Sequence, residues 1–244
     1  MTETKATAAQ LAPELAPELA AVLPAELAAL DRRHVIAVTD VALPGGTVRL
    51  EHPRNSDDLI TEADYVRDER LPYWADLWPS AMAFARTLPT ITPPPGRMLE
   101  LGCGLGLVTI AGIRAGHEVV STDYYDDALL FTRRNAIRVT GIEPQTRMAD
   151  WRAWPDDLGR FDLIVASDIL YEKAYAPLVA GLLAGSLAAD GMAFMADPGR
   201  VGMDEFRIEC AARNLRIVER LKVPHQDGAI NQVITIYEIR GHSA

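Results

Sequence analysis

Residues 98–106 read Met-Leu-Glu-Leu-Gly-Cys-Gly-Leu-Gly, and this stretch decides the fold. An apolar run leads into glycines at every second position, and an apolar helical segment begins at Leu107. Because glycine has no Cβ, the backbone can turn tightly there and a ligand can lie directly against it. The free N–H groups of the first helical turn then point at that ligand. The stretch therefore predicts a strand, a glycine loop and a helix that together bind a nucleotide.

The spacing of the glycines distinguishes two kinds of nucleotide site. A dinucleotide loop has the pattern G-x-G-x-x-G, and counted from Gly102 the position of its third glycine holds Leu107. The spacing here is G-x-G-x-G, with an acid two residues before the first glycine. This pattern resembles motif I of the class I S-adenosylmethionine (AdoMet) methyltransferases. The resemblance implies that AdoMet is bound by residues of this stretch, namely Glu100, Gly102, Cys103, Gly104 and Gly106.

Asp123 directly follows the next predicted strand, residues 118–122. A carboxylate at the tip of the second strand can accept hydrogen bonds from both ribose hydroxyls, so we expect Asp123 to bind the ribose. The alternative role is a helix N-cap before the helix predicted at residues 126–138.

The third predicted strand, residues 145–149, leads into Asp150 and Trp151. An adenine ring needs one acceptor for its amino group and one flat apolar wall, and these two residues supply one of each. Trp154 is a second, weaker candidate for the wall. The alternative role of Trp151 is to cap the hydrophobic core.

From residue 98 onward the chain alternates strands and helices. Strands are predicted at residues 98–101, 118–122, 145–149, 161–167, 191–196, 216–223 and 232–239, with helices between the first six. Residues 224–231 join the last two strands without a helix, so those strands are expected to pair antiparallel. The pattern predicts an α/β, Rossmann-like fold: a seven-stranded, mostly parallel sheet with helices on both faces and a C-terminal antiparallel hairpin strand.

The rest of the chain divides into two further segments. Residues 1–30 are rich in Ala and Pro, and their prolines interrupt any continuous helix, so we expect a mobile tail or short helical pieces. Residues 31–96 hold a predicted hairpin around Gly45-Gly46 and an apolar helix ending near Leu88, which together form an extension on the lid or substrate side. Residues 97–244 form the predicted AdoMet-binding domain.

A narrower resemblance covers roughly residues 40–240. The motifs that carry it are, in chain order, Pro72-Tyr73-Trp74-Ala75, Trp78-Pro79, the loop at 100–106, Asp150-Trp151, Asp168-Ile169-Leu170-Tyr171-Glu172 and Asp197-Pro198-Gly199-Arg200. Together they resemble the seven-β-strand protein-lysine methyltransferases, in the branch that includes the electron transfer flavoprotein β-subunit lysine methyltransferase. Ser80 follows Trp78-Pro79 where glycine is expected in that branch, a departure that concerns the substrate more than the chemistry.

The resemblance implies roles for residues on both sides of the site. Trp78 and Trp151 would help enclose AdoMet, and Ser167 is placed with the AdoMet-binding residues. Asp168 and Tyr171 would lie where the substrate amine enters and are the candidate catalytic residues.

The residue types after the fourth strand also suit an amine. A lysine with a pKa near 10.4 needs about 4–5 kcal/mol to become neutral at pH 7, and a desolvated pocket lowers that cost. Because sulfonium is an excellent leaving group, positioning can supply much of the remaining catalysis, and we name no obligate general base. The alternative roles are a helix N-cap for Asp168 and a solvated side chain for Glu172.

Two other functions are compatible with the fold. One is N-methylation of a small, nicotinamide-like amine, which would need a closed pocket with residues 40–75 as a lid. The other is a non-catalytic AdoMet-binding subunit, against which the intact glycine loop and Asp123 argue. Base or glutamine-amide methylation is disfavoured, because Ser167-Asp168-Ile169-Leu170 replaces an Asn/Asp-Pro-Pro-Tyr run.

Composition excludes several partners. The net charge of −10 disfavours nucleic acid, and no apolar run approaches the ~20 residues of a membrane span. Cys103 and Cys210 make no disulfide framework, and no metal-ligand spacing occurs. We therefore expect a cytoplasmic monomer that needs no metal and acts on a protein lysine or a small amine.

Overall fold

A computed structural model describes residues 24–59, 71–228 and 230–241. The strands are β1 (Ile36–Leu43), β2 (Gly46–Pro53), β3 (Arg97–Leu101), β4 (Glu118–Asp123), β5 (Gln145–Met148), β6 (Phe161–Ser167), β7 (Leu187–Asp197), β8 (Leu215–Asp227) and β9 (Ile230–Gly241). The α-helices are α1 (Ala25–Ala28), α2 (Leu30–Arg33), α3 (Pro79–Ile91), α4 (Leu107–Arg114), α5 (Asp126–Thr140), α6 (Tyr175–Ser186) and α7 (Met203–Ala212). Single 3₁₀ turns occur at Asp57–Leu59, Tyr73–Ala75 and Asp156–Leu158.

The main sheet has the strand order β5-β4-β3-β6-β7-β9-β8. The first five strands in this order, β5, β4, β3, β6 and β7, are parallel to one another, whereas β9 runs antiparallel to both β7 and β8. This arrangement confirms the predicted seven-stranded α/β sheet. It also brings the carboxyl ends of β3, β4, β5, β6 and β7 to one edge, where open α/β sheets bind their ligands.

The alternation of side chains along each strand builds two hydrophobic cores. Met98 on β3 faces the core shared with α3, α4, α5 and the β1–β2 hairpin, and its neighbour Leu99 faces the core shared with α6 and α7. Both side chains are fully buried, as expected for a parallel strand covered on both faces. Helices on both faces therefore hold the central strands, and with them the strand ends, in fixed positions.

Two connections differ from the sequence prediction. Between β5 and β6 only the turn Asp156–Leu158 forms where a helix was predicted, because Pro155 precedes it and Gly159 ends it at φ 73°. The last two strands extend through the predicted loop and pair as far as Asp227 and Ile230. Because β8 is an edge strand, Pro224 can sit in it without breaking the ladder on both sides.

The N-terminal segment packs on α5. Leu27 and Leu30 on the single-turn helices α1 and α2 are fully buried. The tail predicted at residues 1–30 falls mostly on residues 1–23, which lie outside the described residues, so it stays a prediction. Arg134 on α5 is buried and pairs with both Asp31 and Glu51, which ties α2 and β2 to the domain. None of the helices in the described residues is long and apolar enough to cross a bilayer.

Candidate active site

A cavity of about 600 Å³ opens at the carboxyl edge of the sheet. It is bounded by the segment before α3, the glycine loop after β3, the ends of β4 and β5, and the loops after β6 and β7. Its lining residues are Leu71, Tyr73, Trp74, Asp76, Leu77, Trp78, Ala81, Glu100, Gly102, Cys103, Gly104, Leu105, Leu107, Val108, Asp123, Tyr124, Tyr125, Ala149, Asp150, Trp151, Arg152, Ser167, Asp168, Ile169, Tyr171, Glu172, Tyr175, Leu178 and Arg200. The cavity thus brings together every predicted site residue except Gly106.

The three glycines of the loop, Gly102, Gly104 and Gly106, have different structural roles. All three have positive φ, which favours glycine. Gly102 lies on the cavity wall, where an added Cβ would be 3.1 Å from Ile169. At Gly104 the Cβ would be 3.1 Å from the backbone oxygen of Trp74, so this glycine admits the segment before α3. Gly106 does not line the cavity, because its missing Cβ allows α5 to approach at Thr132.

Glu100 is buried in β3 and faces the cavity, with no ion pair to a cation of the described residues. Its carboxyl group accepts a hydrogen bond from the Thr109 hydroxyl, and Thr109 in turn lies 2.6 Å from the hydroxyl oxygen of Ser121. Burial raises the pKa of Glu100 to about 8, because the charged form loses its solvation. Glu100 is therefore largely neutral at pH 7 in the protein alone.

Asp123, the last residue of β4, holds the glycine loop. One carboxylate oxygen accepts the Gly104 N–H at 3.0 Å, and the other accepts the Tyr125 N–H at 3.1 Å. Burial raises its pKa. The N-cap of α5 is Tyr125, so Asp123 does not fill the alternative helix-cap role.

Asp150 and Trp151 form the far wall, after β5. The Arg152 guanidinium donates to both oxygens of the Asp150 carboxylate, with Nε at 2.9 and 3.0 Å and Nη2 at 2.7 Å. Trp151 packs edge-on against Tyr175, with ring centres 5.3 Å apart, and lies against the glycine loop near Gly102. Trp154 packs against the core on the α6 side instead of lining the cavity.

Asp168 follows β6 in a strained conformation. Its φ is +60°, which is uncommon for any residue except glycine and is typical of functional sites. Its side chain is only 4% exposed and accepts a hydrogen bond from Ser80 at 3.0 Å. Helix α6 begins after Ala174, so Asp168 is not a helix N-cap. The side chain faces the cavity beside Ser167, which ends β6.

Arg200 is the functional candidate that sequence reasoning missed. Its Nε donates to Asp168 at 2.5 Å, and its guanidinium carbon lies 5.4 Å from the centre of the Trp78 ring. The Asp-Pro-Gly-Arg motif contains this residue, but the motif does not predict which side chain Arg200 pairs with. The turn that places it is held by Asp197, which accepts the backbone N–H groups of Gly199 and Arg200 at 2.7 and 2.8 Å.

Tyr73, Tyr171 and Tyr175 form an aromatic corner of the cavity that also contains Asp168. Tyr171 packs edge-on against Tyr73 and Tyr175, with ring centres 5.3 and 5.2 Å apart. Burial is the main cause that raises the pKa of the Tyr171 phenol, followed by Tyr175. The indole N–H of Trp78 donates to the backbone oxygen of Tyr73 at 2.7 Å, which fixes this ring beside the corner. The sequence motif that contains Tyr73 predicts no role for it, and the fold reveals its contact with Tyr171.

The arrangement suits AdoMet. The cavity combines a glycine cradle, an acid at the tip of the second strand and an acid with a flat ring at the third, which match the needs of a ribose and an adenine. In the described part of the chain, no three His, Cys, Asp or Glu side chains cluster as metal ligands.

Comparisons with known proteins find methyltransferases. Residues 98–184 match the family described as a methyltransferase domain. The chain is 30% identical over 172 residues to the electron transfer flavoprotein beta subunit lysine methyltransferase of Xenopus laevis, across 69% of this chain and 68% of that protein. It is 32% identical over 143 residues to the protein-lysine N-methyltransferase rrg1 of Schizosaccharomyces pombe, across 53% and 42%. The solved ribosomal protein L11 methylase of Lactobacillus delbrueckii subsp. bulgaricus shares the fold, with a TM-score of 0.52 at 22% identity, across 67% and 77%.

These findings define an AdoMet-dependent methyltransferase of class I. The chain belongs to that family, and within it the chain is similar to protein-lysine methyltransferases.

Proposed function

We propose that this enzyme transfers a methyl group from AdoMet to the side-chain amine of a lysine in a protein. The observation that carries the proposal is the acid-and-tyrosine corner, in which Asp168 and Tyr171 share one wall of the cavity beyond the glycine loop. The names of the relatives from Xenopus laevis and Schizosaccharomyces pombe support a protein lysine as the acceptor.

We assign the AdoMet side of the cavity to residues at the ends of three strands. Asp123 would accept the ribose hydroxyls, and Asp150 the adenine amino group, with Trp151 as the flat wall. The loop residues Gly102, Cys103 and Gly104 would lie against the ligand, with Glu100, Ser167 and Trp78 around them. Gly106 supports the loop from behind.

When bound, AdoMet supplies a methyl group on a positively charged sulfur, an excellent leaving group. The lysine nitrogen must present its lone pair, so that a C–N bond forms as the C–S bond breaks and the product ammonium can lose its proton to solvent. Bringing a lysine to the neutral form at pH 7 costs about 4–5 kcal/mol. The half-buried Tyr171, with the more exposed Tyr73 against its ring, lowers that cost, because an apolar wall disfavours the ammonium.

Asp168 and Tyr171 would orient the amine toward the methyl group. Holding two reactants in a near-attack geometry is worth several orders of magnitude in rate, so a fixed carboxylate and phenol can supply catalysis without a general base. The buried position of Asp168 and its bond from Ser80 keep its carboxylate in one place.

The small-amine alternative would need residues 40–75 as a lid; of the described part of that segment, Leu71, Tyr73 and Trp74 line the cavity, whereas the β1–β2 hairpin does not. The lining residues from the N-terminal extension begin at Leu71 in the described chain, and residues 60–70 lie outside it. The monomeric state, the cytoplasmic location and the absence of a nucleic-acid partner remain predictions.

The test is methylation of a cell lysate with isotope-labelled AdoMet. Label is separated into protein, nucleic acid and small-molecule fractions, and labelled proteins are digested and sequenced by mass spectrometry. We expect label on lysine side chains with wild type and little with Asp123→Ala. Label confined to small molecules would favour the amine alternative. No label, with AdoMet binding intact by calorimetry, would indicate a non-catalytic subunit.

A further inference from the structure

The Asp168–Arg200 ion pair lines the part of the cavity that we assign to the substrate amine, the acceptor end, as opposed to the cofactor end at Asp123 and Asp150. The carboxylate is 4% exposed and the guanidinium 34% exposed, with Nε 2.5 Å from the carboxylate oxygen. Trp78 lies under the guanidinium and Ser80 binds the other carboxylate oxygen at 3.0 Å. The pair is therefore held from both sides and is ready before any substrate arrives.

The pair matters because methyl transfer needs a neutral amine. A buried carboxylate without a partner stabilises a nearby ammonium, and it would keep a bound lysine in the form that cannot attack. A guanidinium at hydrogen-bond distance from the carboxylate offsets its negative charge, so the carboxylate stabilises the ammonium less. Each unit by which the lysine pKa rises reduces the reactive fraction at pH 7 about tenfold.

We propose that Arg200 is a positioning residue that acts through Asp168: it holds the carboxylate in place for the substrate amine and cancels its charge, so that the amine is accepted in its neutral form. This inference rests on the proposed lysine methylation and adds the electrostatic condition under which it runs at neutral pH.

Other groups around the pair contribute less charge. From the loop after β6, Tyr171 stays protonated, and Glu172 accepts a hydrogen bond from Tyr175 at 3.1 Å. From β7, the fully buried Asp197 faces the same guanidinium, and burial raises its pKa. From the segment before α3, Tyr73 and the exposed Asp76 line the cavity. Among the described acids around Arg200, Asp168 is the one whose carboxylate accepts a hydrogen bond from the guanidinium.

The experiment compares wild type with Arg200→Met and Arg200→Lys. The acceptor is the protein that wild type labels in the lysate experiment, and kcat and KM are measured from about pH 6.5 to about pH 9.5, a range that covers the lower part of a lysine titration. For Arg200→Met we expect kcat at pH 7 to fall about tenfold and to recover as the pH rises, with KM unchanged or lower, because the unpaired carboxylate binds ammonium well. Arg200→Lys keeps the charge and should keep the pH profile of wild type.

Two further variants separate charge from structure. In Asp168→Asn combined with Arg200→Met, the pH profile should coincide with that of Asp168→Asn alone, because no carboxylate is left to cancel. Arg147→Met removes a guanidinium from an exposed pair with Asp157 and should leave the profile unchanged. AdoMet affinity, measured by calorimetry, reports whether each variant keeps its fold and cofactor site.

The possible results lead to different conclusions. A loss in Arg200→Met that is equal at every pH would overturn the inference and leave lysine methylation standing. A wild-type enzyme that labels no lysine would overturn the proposed function, and the inference with it.

Discussion

Glu100 and Asp168 are both buried acids on the cavity wall, but their partners differ. Glu100, in β3, is bonded by the hydroxyl of Thr109, and burial raises its pKa to about 8. Asp168, after β6, receives the guanidinium of Arg200 at 2.5 Å and the hydroxyl of Ser80. The cavity wall thus holds a neutral acid at Glu100 and an ion pair at Asp168.

The difference suggests how each end handles a positive charge. A neutral acid can ionise when a cation arrives, and AdoMet carries both an ammonium and a sulfonium. An acid that is already paired attracts an incoming ammonium less strongly, and this suits an acceptor that must react as a free amine. Burial alone therefore does not define the role of an acid, because the partner decides its charge.

The largest expected effect is the pH dependence of stability caused by Glu100. Its pKa is about 8 in the fold and 4.5 in the unfolded chain, so the stability from its neutral form is fully present below pH 4.5 and is lost as pH rises to about 8. Compared with Glu100→Gln, the wild-type free energy of unfolding should fall on the order of 5 kcal/mol across this window. Urea unfolding of both proteins without AdoMet, at several pH values, measures this difference. Parallel pH curves would show that Glu100 ionises normally.

The second prediction concerns Asp168 at the other end. Asn tolerates positive φ, so Asp168→Asn keeps the backbone while removing the charge. We expect methyl transfer to fall by about 10² or more, the scale of a well-placed transition-state group, and AdoMet affinity to stay within a few-fold. Labelled methyl transfer and calorimetry measure the two quantities. Asp157→Asn, which alters an exposed pair with Arg147, is the matched control and should change neither.

That prediction separates acceptor chemistry from cofactor binding. A parallel loss of rate and AdoMet affinity would move Asp168 to the cofactor end and remove the contrast with Glu100.

The third prediction is the ribose contact of Asp123. Losing a charge-assisted, two-oxygen contact costs roughly 2–3 kcal/mol, so Asp123→Ala should weaken AdoMet binding about 30- to 150-fold. Asp126→Ala, at an exposed acid at the start of α5, should leave the dissociation constant near that of wild type. Calorimetry with AdoMet and with NAD tests both the residue and the ligand. An unchanged constant in a folded Asp123→Ala variant would limit Asp123 to holding the loop.

Much of the sheet and of the cofactor end is predictable because both depend on local sequence. A strand followed by a glycine loop needs only residues 98–106, and Asp123, Asp150 and Asp168 each end or directly follow their own predicted strand. Parallel strands place their carboxyl ends at one edge, so Asp123, Asp150 and Asp168 had to come close together.

The acceptor end is less predictable because its contacts are distant in sequence. Asp168 and Arg200 are separated by a helix and a strand, and Tyr73 meets Tyr171 from a segment that precedes the whole sheet. No spacing rule links such residues. Their pairing follows from the turn that Asp197 fixes and from the packing of residues 71–78 over the glycine loop.

Connections were predicted less well than strands. Pro224 indicated a loop, yet it lies in an edge strand where one side of the ladder is free. Gly106 matched the binding motif, yet its Cβ position is 2.8 Å from the Thr132 Cα, so packing against α5 requires glycine there. A motif identifies which residue type is needed at a position, and the packing of the neighbouring helix or strand explains why that type is needed.

The smallest expected effect tests whether the glycine loop is shaped for the ligand or for the segment above it. At Gly104, φ is +51° and an added Cβ would meet the Trp74 backbone oxygen at 3.1 Å. A left-handed conformation costs a non-glycine residue roughly 1–2 kcal/mol, so Gly104→Ala should weaken AdoMet binding about 5- to 30-fold if that strain is relieved by shifting the loop.

The matched control is Gly185→Ala in α6, where an added Cβ has nothing within 4 Å and alanine favours the helix. This variant should bind AdoMet as wild type does and should be slightly more stable. Calorimetry measures both affinities, and the fluorescence of Trp74 and its neighbours reports movement of residues 71–78. If Gly104→Ala binds AdoMet normally while the fluorescence changes, the glycine serves the segment before α3 and the ligand does not depend on its conformation. If affinity falls with no change in fluorescence, AdoMet binding depends on the conformation of the glycine loop itself. The cofactor end is then preformed, as the Asp168–Arg200 pair is at the acceptor end.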